Sequence, residues 1–155
     1  HMQKNPENMQ LCPSYPEGVV KEILEWMKKT SKSLISQGVK EKNIIFDPGI
    51  GFGKTVDDNI KIIKHLSDFK KLGFPILLGI SRKSFIQKIL EKKASEVLST
   101  TLAANTIVLG SGVDIIRVHD VKEHRQIIDF LSYFQEIEKE PIIGELLTKE
   151  ALPIG

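Results

Sequence analysis

Asp47-Pro48-Gly49-Ile50-Gly51-Phe52-Gly53-Lys54-Thr55 follows the apolar run Ile44-Ile45-Phe46 and precedes an amphipathic pattern that starts near Asp57. A short β-branched run, a glycine-rich turn and a 3.6-period stretch, in that order, predict one βα unit. The same order recurs twice. Gly79-Ile80-Ser81-Arg82-Lys83-Ser84-Phe85 follows the run from Phe74 to Leu78, and Arg117-Val118-His119-Asp120 closes the run from Asp114 to Val118. The runs of Ile, Leu and Val do not alternate with polar residues, which predicts parallel strands covered on both faces and joined by right-handed crossovers. The C-terminal ends of parallel strands all point one way, so the three polar motifs would share one face.

Outward from these motifs, strands are expected at Asn43–Phe46, Phe74–Leu78 and Asp114–Val118, with a stub of a fourth at His1–Gln3. Helices are expected at 17–37, 57–72, 84–92, 95–110 and 121–135. Asp57 is the expected N-cap of the second and Gly73 its stop. Ala103 and Ala104 would let the fourth helix pack closely on a sheet. Pro6, Pro13 and Pro16 predict a loop over residues 1–16. Residues 137–155 lose the repeat, and Pro141 and Gly144 break them up, so they are expected to form a tail or linker, with a short docking helix at Glu145–Glu150 as the other option. Three or four strands cannot close a barrel. The residues alone therefore leave two architectures open: an open α/β domain, or part of a (β/α)8 barrel.

Composition bounds the function. A chain of 155 residues with a net charge of +2 predicts one domain and no binding of nucleic acid by bulk charge. No apolar stretch reaches the length of a membrane span, and no signal peptide is expected. Cys12 is the only cysteine, which excludes an intrachain disulfide and fits a reducing compartment.

The motifs are rich in cations and backbone N–H groups. The first comes near a nucleotide P-loop and misses: the leading glycine of that pattern would fall on Pro48, and counted from Gly49 the loop is one residue short. Asp47, at a strand end, could accept two N–H donors from a flat amino-heterocycle, or could simply satisfy its own turn. Gly49, Gly51 and Gly53 let a ligand approach the backbone, and Phe52 offers an aromatic face. Ser81 or Ser84 could cap the next helix. Arg82 and Lys83 would then lie in its first turn, against the helix dipole, where they are either site residues or solvated cations. Arg117 and His119, two apart on a strand, share a side and suit an anionic leaving group. Asp120 could cap the following helix or orient His119. His65 and His124 fall in helical patterns and are expected to be solvated.

Together, D-P-G-I-G-F-G-K, G-I-S-R-K-S-F-I, I-I-R-V-H-D-V and the opening H-M-Q-K-N-P-E-N-M-Q resemble the successive C-terminal motifs of dihydropteroate synthase over residues 1–134. The resemblance implies an α/β fold that is the C-terminal portion of a (β/α)8 TIM barrel, with three to four parallel βα units in residues 1–136. It implies a transferase of folate biosynthesis, a sulfonamide target, that joins 4-aminobenzoate to 6-hydroxymethyl-7,8-dihydropterin diphosphate and releases diphosphate. It further implies a cytoplasmic homodimer that uses Mg2+, whose ligand belongs to the family's N-terminal half, so no metal ligand is expected in this chain. Carried over motif by motif, Asp47 binds the pterin, Met2 touches its edge, and Gly79 leaves room for its ring. Phe52 lies near both substrates. Lys83 bonds the pterin and shapes the aminobenzoate pocket, with Ser81 beside it, and Ser84 meets the aminobenzoate carboxylate. Arg117 stacks on the pterin and, with His119, holds the diphosphate. Lys83, Arg117 and His119 are the implied catalytic residues.

Two departures stand out. The family's N-terminal strands and mobile loops are not in this sequence, and Val97 stands where the family often has arginine. Two alternative readings are a pterin-binding domain of a methyltransferase, against which S-R-K-S-F argues, and a non-catalytic half-barrel that acts by association with another chain.

Overall fold

The computed structural model describes residues 1–137, so the expectations for the tail lie outside the described residues. Three parallel strand positions lie side by side in chain order. Phe46 bridges Ile76, and β1 (Leu77–Leu78) pairs with β2 (Ile115–Ile116), Leu77 against Ile115 and Leu78 against Ile116. Phe46 N–H donates to the Pro75 carbonyl at 3.0 Å, and Arg117 N–H to that of Leu78 at 2.8 Å. The strands are shorter than expected. Asn43 belongs instead to a 3-10 turn (Glu41–Asn43), and His1–Gln3 form no strand.

Among the described residues, six helices connect and flank these positions: α1 (Val19–Ser36), α2 (Val56–Lys64), α3 (Leu66–Lys70), α4 (Ser84–Leu90), α5 (Leu98–Gly110) and α6 (Val121–Ile137). α1 buries Val19, Ile23 and Met27, spaced by four, in the same core that holds Ile44, Phe46 and Ile76. Trp26 adds an edge-to-face contact to Phe46, with ring centroids 5.8 Å apart. The expected helix 57–72 is two helices, broken at His65. Its start is also different. Thr55, not Asp57, is the N-cap: its hydroxyl accepts from Asp58 N–H at 3.1 Å while the Asp58 carboxylate accepts from Thr55 N–H at 3.0 Å. In α5 the buried positions are Thr101, Asn105 and Val108, whereas Ala103 is exposed.

The two faces of the strands differ. Phe46, Ile76 and Leu78 are sealed in the core. The residues that alternate with them point the other way, and there Ile45 is 51% exposed and Ile115 38%. The expectation of strands covered on both faces is therefore met on one face only. The open face carries several of the site residues expected from the sequence. By the same alternation, Asp47 follows Ile45, Gly79 follows Leu77 and Arg117 follows Ile115.

Candidate functional site

The register places Gly79 opposite Arg117, one step beyond the Leu78–Ile116 pair. A β-carbon at Gly79 would stand 3.1 Å from the Arg117 Nε. The Arg117 guanidinium lies against the open side of Gly79, where a larger residue would displace it.

Lys83 reaches across to the first motif. Its ammonium donates to the Ile50 carbonyl at 2.7 Å and stands 4.2 Å from the centre of the Phe52 ring. Burial lowers its pKa, the Arg117 guanidinium pushes the same way, and the Asp47 carboxylate opposes both. Gly51 allows this approach. It has φ +80°, and a β-carbon there would lie 3.3 Å from Lys83 Cδ. Asp47 Oδ1 accepts from Gly49 N–H at 2.7 Å, so one oxygen serves the turn, while Oδ2 takes no hydrogen bond among the described residues.

Lys54, which the motif reading used only as part of a loop pattern, is a buried cation at 4% exposure. It donates to the Phe52 carbonyl at 3.0 Å, and burial drives its pKa down to about 8, against the pull of Asp47 and Asp58. Asn59, also buried, braces the same loop, accepting from Gly51 N–H and donating to the Thr55 carbonyl, each at 2.7 Å. A small polar cleft of about 210 Å³ lies between this loop and α4, bordered by Gln10, Lys54, Asn59, Ser84 and Lys88.

The second and third motifs are stapled to each other. Ser81 is buried, and its hydroxyl accepts from His119 N–H at 3.2 Å and meets His119 Nδ1 at 3.1 Å. Arg82 forms a two-pronged pair with Asp120, its Nε 3.0 Å from Oδ2 and its terminal nitrogen on Oδ1. That hydrogen bond holds the Asp120 carboxyl below the usual carboxylate range. Arg82 is therefore neither a solvated cation nor a first-turn residue, and the Asp120 carboxylate grips Arg82 rather than a helix end or His119. Lys83 is the N-cap of α4 and Ser84 its first residue, so neither expected serine caps it. Arg82 also takes φ +53°, a left-handed conformation that costs a non-glycine residue about 1–2 kcal/mol. Met2 lies 40% exposed in the loop before α1.

His124 corrects another expectation, since it is only 2% exposed. Its Nδ1 donates to the Asp120 carbonyl at 2.6 Å, and its Nε2 lies 3.0 Å from Asn105 Nδ2. Asn105 interrupts the apolar run Leu102-Ala103-Ala104, four residues after Thr101 and three before Val108. A polar amide on that buried stripe is the signal that could have revealed the pair.

The Asp47 carboxylate thus acts on both Lys54 and Lys83, Asp58 adds a second carboxylate near Lys54, and Arg117 acts on Lys83 from a neighbouring strand end. This arrangement suits a flat donor-bearing ring joined to an anion. Among the described residues no group of three or more His, Cys, Asp or Glu side chains could hold a metal ion. No described helix is long and apolar enough to cross a membrane.

Comparison with known proteins agrees with this chemistry. Residues 1–119 match the family model described as pterin binding enzyme. The dihydropteroate synthase of Haemophilus influenzae is 40% identical over 121 residues, covering 78% of this chain and 44% of that protein. Two crystal structures of the Thermus thermophilus dihydropteroate synthase, one in complex with 6HMPPP and one with 4-aminobenzoate, each align with a TM-score of 0.80 and 29% identity over 87% of this chain. They are covered to 53% and 55% of their own lengths. The chain thus spans less than half the length of the curated relative and about half of the solved ones.

Proposed function

The chain belongs to the family of pterin-binding enzymes, and from that premise we propose that it is the C-terminal portion of the (β/α)8 barrel of a dihydropteroate synthase. The reaction joins the amine of 4-aminobenzoate to the methylene of a dihydropterin-methyl diphosphate. A C–N bond forms, the C–O bond to diphosphate breaks, and the amine loses a proton. The observation that carries this reading is the Asp47 carboxylate, one oxygen free of its own turn, acting on both Lys54 and Lys83, with Arg117 acting on Lys83 from a neighbouring strand end. Asp47 Oδ2, free of its own turn, accepts the N–H groups of the pterin. Phe52 and Met2 border the ring, and Arg117, held against Gly79, covers it.

Arg117 and His119 take up the charge of the departing diphosphate, stabilising the transition state as fixed cations and donors do. Lys83, already donating to a carbonyl and lying over Phe52, bonds the pterin and closes one side of the aminobenzoate pocket, with Ser81 behind it. Ser84 and Lys54 border the small cleft, where the aminobenzoate carboxylate fits. No protein nucleophile is needed. The magnesium ion that the resemblance implies takes its ligand, on the same reading, from the family's N-terminal half. A cytoplasmic homodimer follows the same reading.

The test is calorimetric titration with the pterin-methyl diphosphate, with Asp47→Ala as control. Binding by the wild-type chain that the variant loses supports the assignment. Equal binding by both would remove Asp47 from the pterin site.

A further inference from the structure

We propose that the buried Asn105–His124 pair is a positioning device for the site, acting through Asp120 and Arg82. This goes beyond the synthase reading but rests on it, because Ser81 and Lys83 matter only if they meet substrate.

The pair belongs to a closed ring of hydrogen bonds. The Arg82 guanidinium grips the Asp120 carboxylate. The Asp120 carbonyl accepts from His124 Nδ1 at 2.6 Å and from His124 N–H at 3.1 Å. Asn105 Nδ2 bridges His124 Nε2 and the Thr101 carbonyl, each at 3.0 Å. The Thr101 hydroxyl accepts from Arg82 N–H at 3.3 Å, which returns the ring to its start. Arg82 thus receives a bond on its backbone from α5 and one on its side chain from the loop before α6. A left-handed residue with a side chain persists only where its surroundings hold it, and these are the holding contacts, with Gln87 adding a bond to the Arg82 carbonyl at 2.9 Å.

The ring has a direction. Asn105 Nδ2 serves two acceptors, so reversing the amide would set its oxygen against the Thr101 carbonyl. His124 Nε2 must therefore accept, which leaves Nδ1 as the donor to Asp120. Asn105 Oδ1 is buried with no hydrogen bond. An orphaned buried oxygen is unfavourable, and an alanine or leucine there would avoid it. The amide's return is the bridge it makes. Its consequence falls on both neighbours of Arg82. Ser81 is aimed at His119, and Lys83 at Ile50 and Phe52.

The experiment reads Lys83 directly. In the wild-type chain the Phe52 ring should shift the Lys83 Hε proton resonances upfield, and Phe52→Leu sets the value without the ring. His124→Phe, which keeps an aromatic ring of similar size but neither bond, and Thr101→Val, which removes only the hydroxyl, should each lose most of that upfield shift while the rest of the spectrum stays dispersed. His124→Asn keeps a donor where Nδ1 stands and should recover part of it. Wild-type Lys83 shifts in folded His124→Phe would overturn the proposal, and Asn105→Leu, which removes the bridge together with its orphaned oxygen, decides the matter if His124→Phe fails to fold. Because the readout is geometric, it stands whether or not the chain binds a pterin, so failure of the synthase reading is distinguished from failure of this one.

Discussion

At the scale of single residues, the site combines groups whose protonation the fold has shifted. Lys54 has its pKa lowered from 10.5 to about 8 by burial. Above pH 8 the folded chain sheds this proton while the unfolded chain keeps it, so the unfolded state binds more protons and stability rises with pH. Tyr15 acts in the opposite sense above its ordinary value, because burial raises its pKa from 10 to about 12. Lys83, whose pKa burial also lowers, acts in the same sense as Lys54, so pH 8 to 10 is the window below Tyr15 in which the Lys54 share is read by difference from its variant. There we expect the Lys54 share of the free energy of unfolding to rise by about 2 kcal/mol, at about 1.4 kcal/mol per pKa unit. Urea titrations at both ends of the window would measure it. Lys54→Met should flatten the slope, and an unchanged slope in that variant would assign the effect to another group. The same residue bears on function, since a partly neutral Lys54 beside Ser84 would weaken the grip on a carboxylate as pH rises.

At the scale of elements, the turn into α2 holds the first motif in place. Thr55 and Asp58 satisfy two N–H groups at the helix start, and the next turn of that helix presents Asn59 to Gly51. Thr55→Ala should lower stability by about 1 kcal/mol, as loss of an N-cap typically does, and denaturant melts would read it. A loss near zero would mean that Asp58 alone serves both donors. Much of the element order was legible because periodicity is local. Val19, Ile23 and Met27 announce α1, and the runs at 44–46, 74–78 and 114–118 announce the strand positions. The break at His65 was hidden because Ile62, Leu66 and Phe69, all buried, keep helical spacing across it. In the site, Asp47, Lys83, Arg117 and His119 were legible as strand-end chemistry, and the structure brings them to one face. The ring through Asn105 and His124 was not legible, because it joins residues 19 apart in sequence that only the packing of α5 on α6 brings together. The closeness of Gly79 to Arg117 depended equally on register, since only the pairing of the two strands sets them opposite each other.

At the scale of the whole molecule, the open face sets the limit on activity. Ile45 and Ile115 point away from the core and stay half-exposed, and the site continues along the same side through Asp47, Gly79 and Arg117. Apolar strand residues left in water are a cost that a covering element would remove, at about 25 cal/mol per Å² of apolar surface. A barrel interior is packed with such side chains, so a closed (β/α)8 barrel would bury both isoleucines and wall the ligand face at once. We therefore expect the purified 155-residue chain to show little or no synthase turnover. Co-expression with the part of the Haemophilus influenzae enzyme outside the matched 121 residues should restore it. The two measurements are turnover of labelled 4-aminobenzoate and solvent protection of the Ile45 and Ile115 amide and methyl signals, which should appear together. Turnover by the chain alone would mean that half of the strands suffice for the chemistry. Protection without turnover would mean that the barrel closes but that closure by the co-expressed segment does not by itself complete the site.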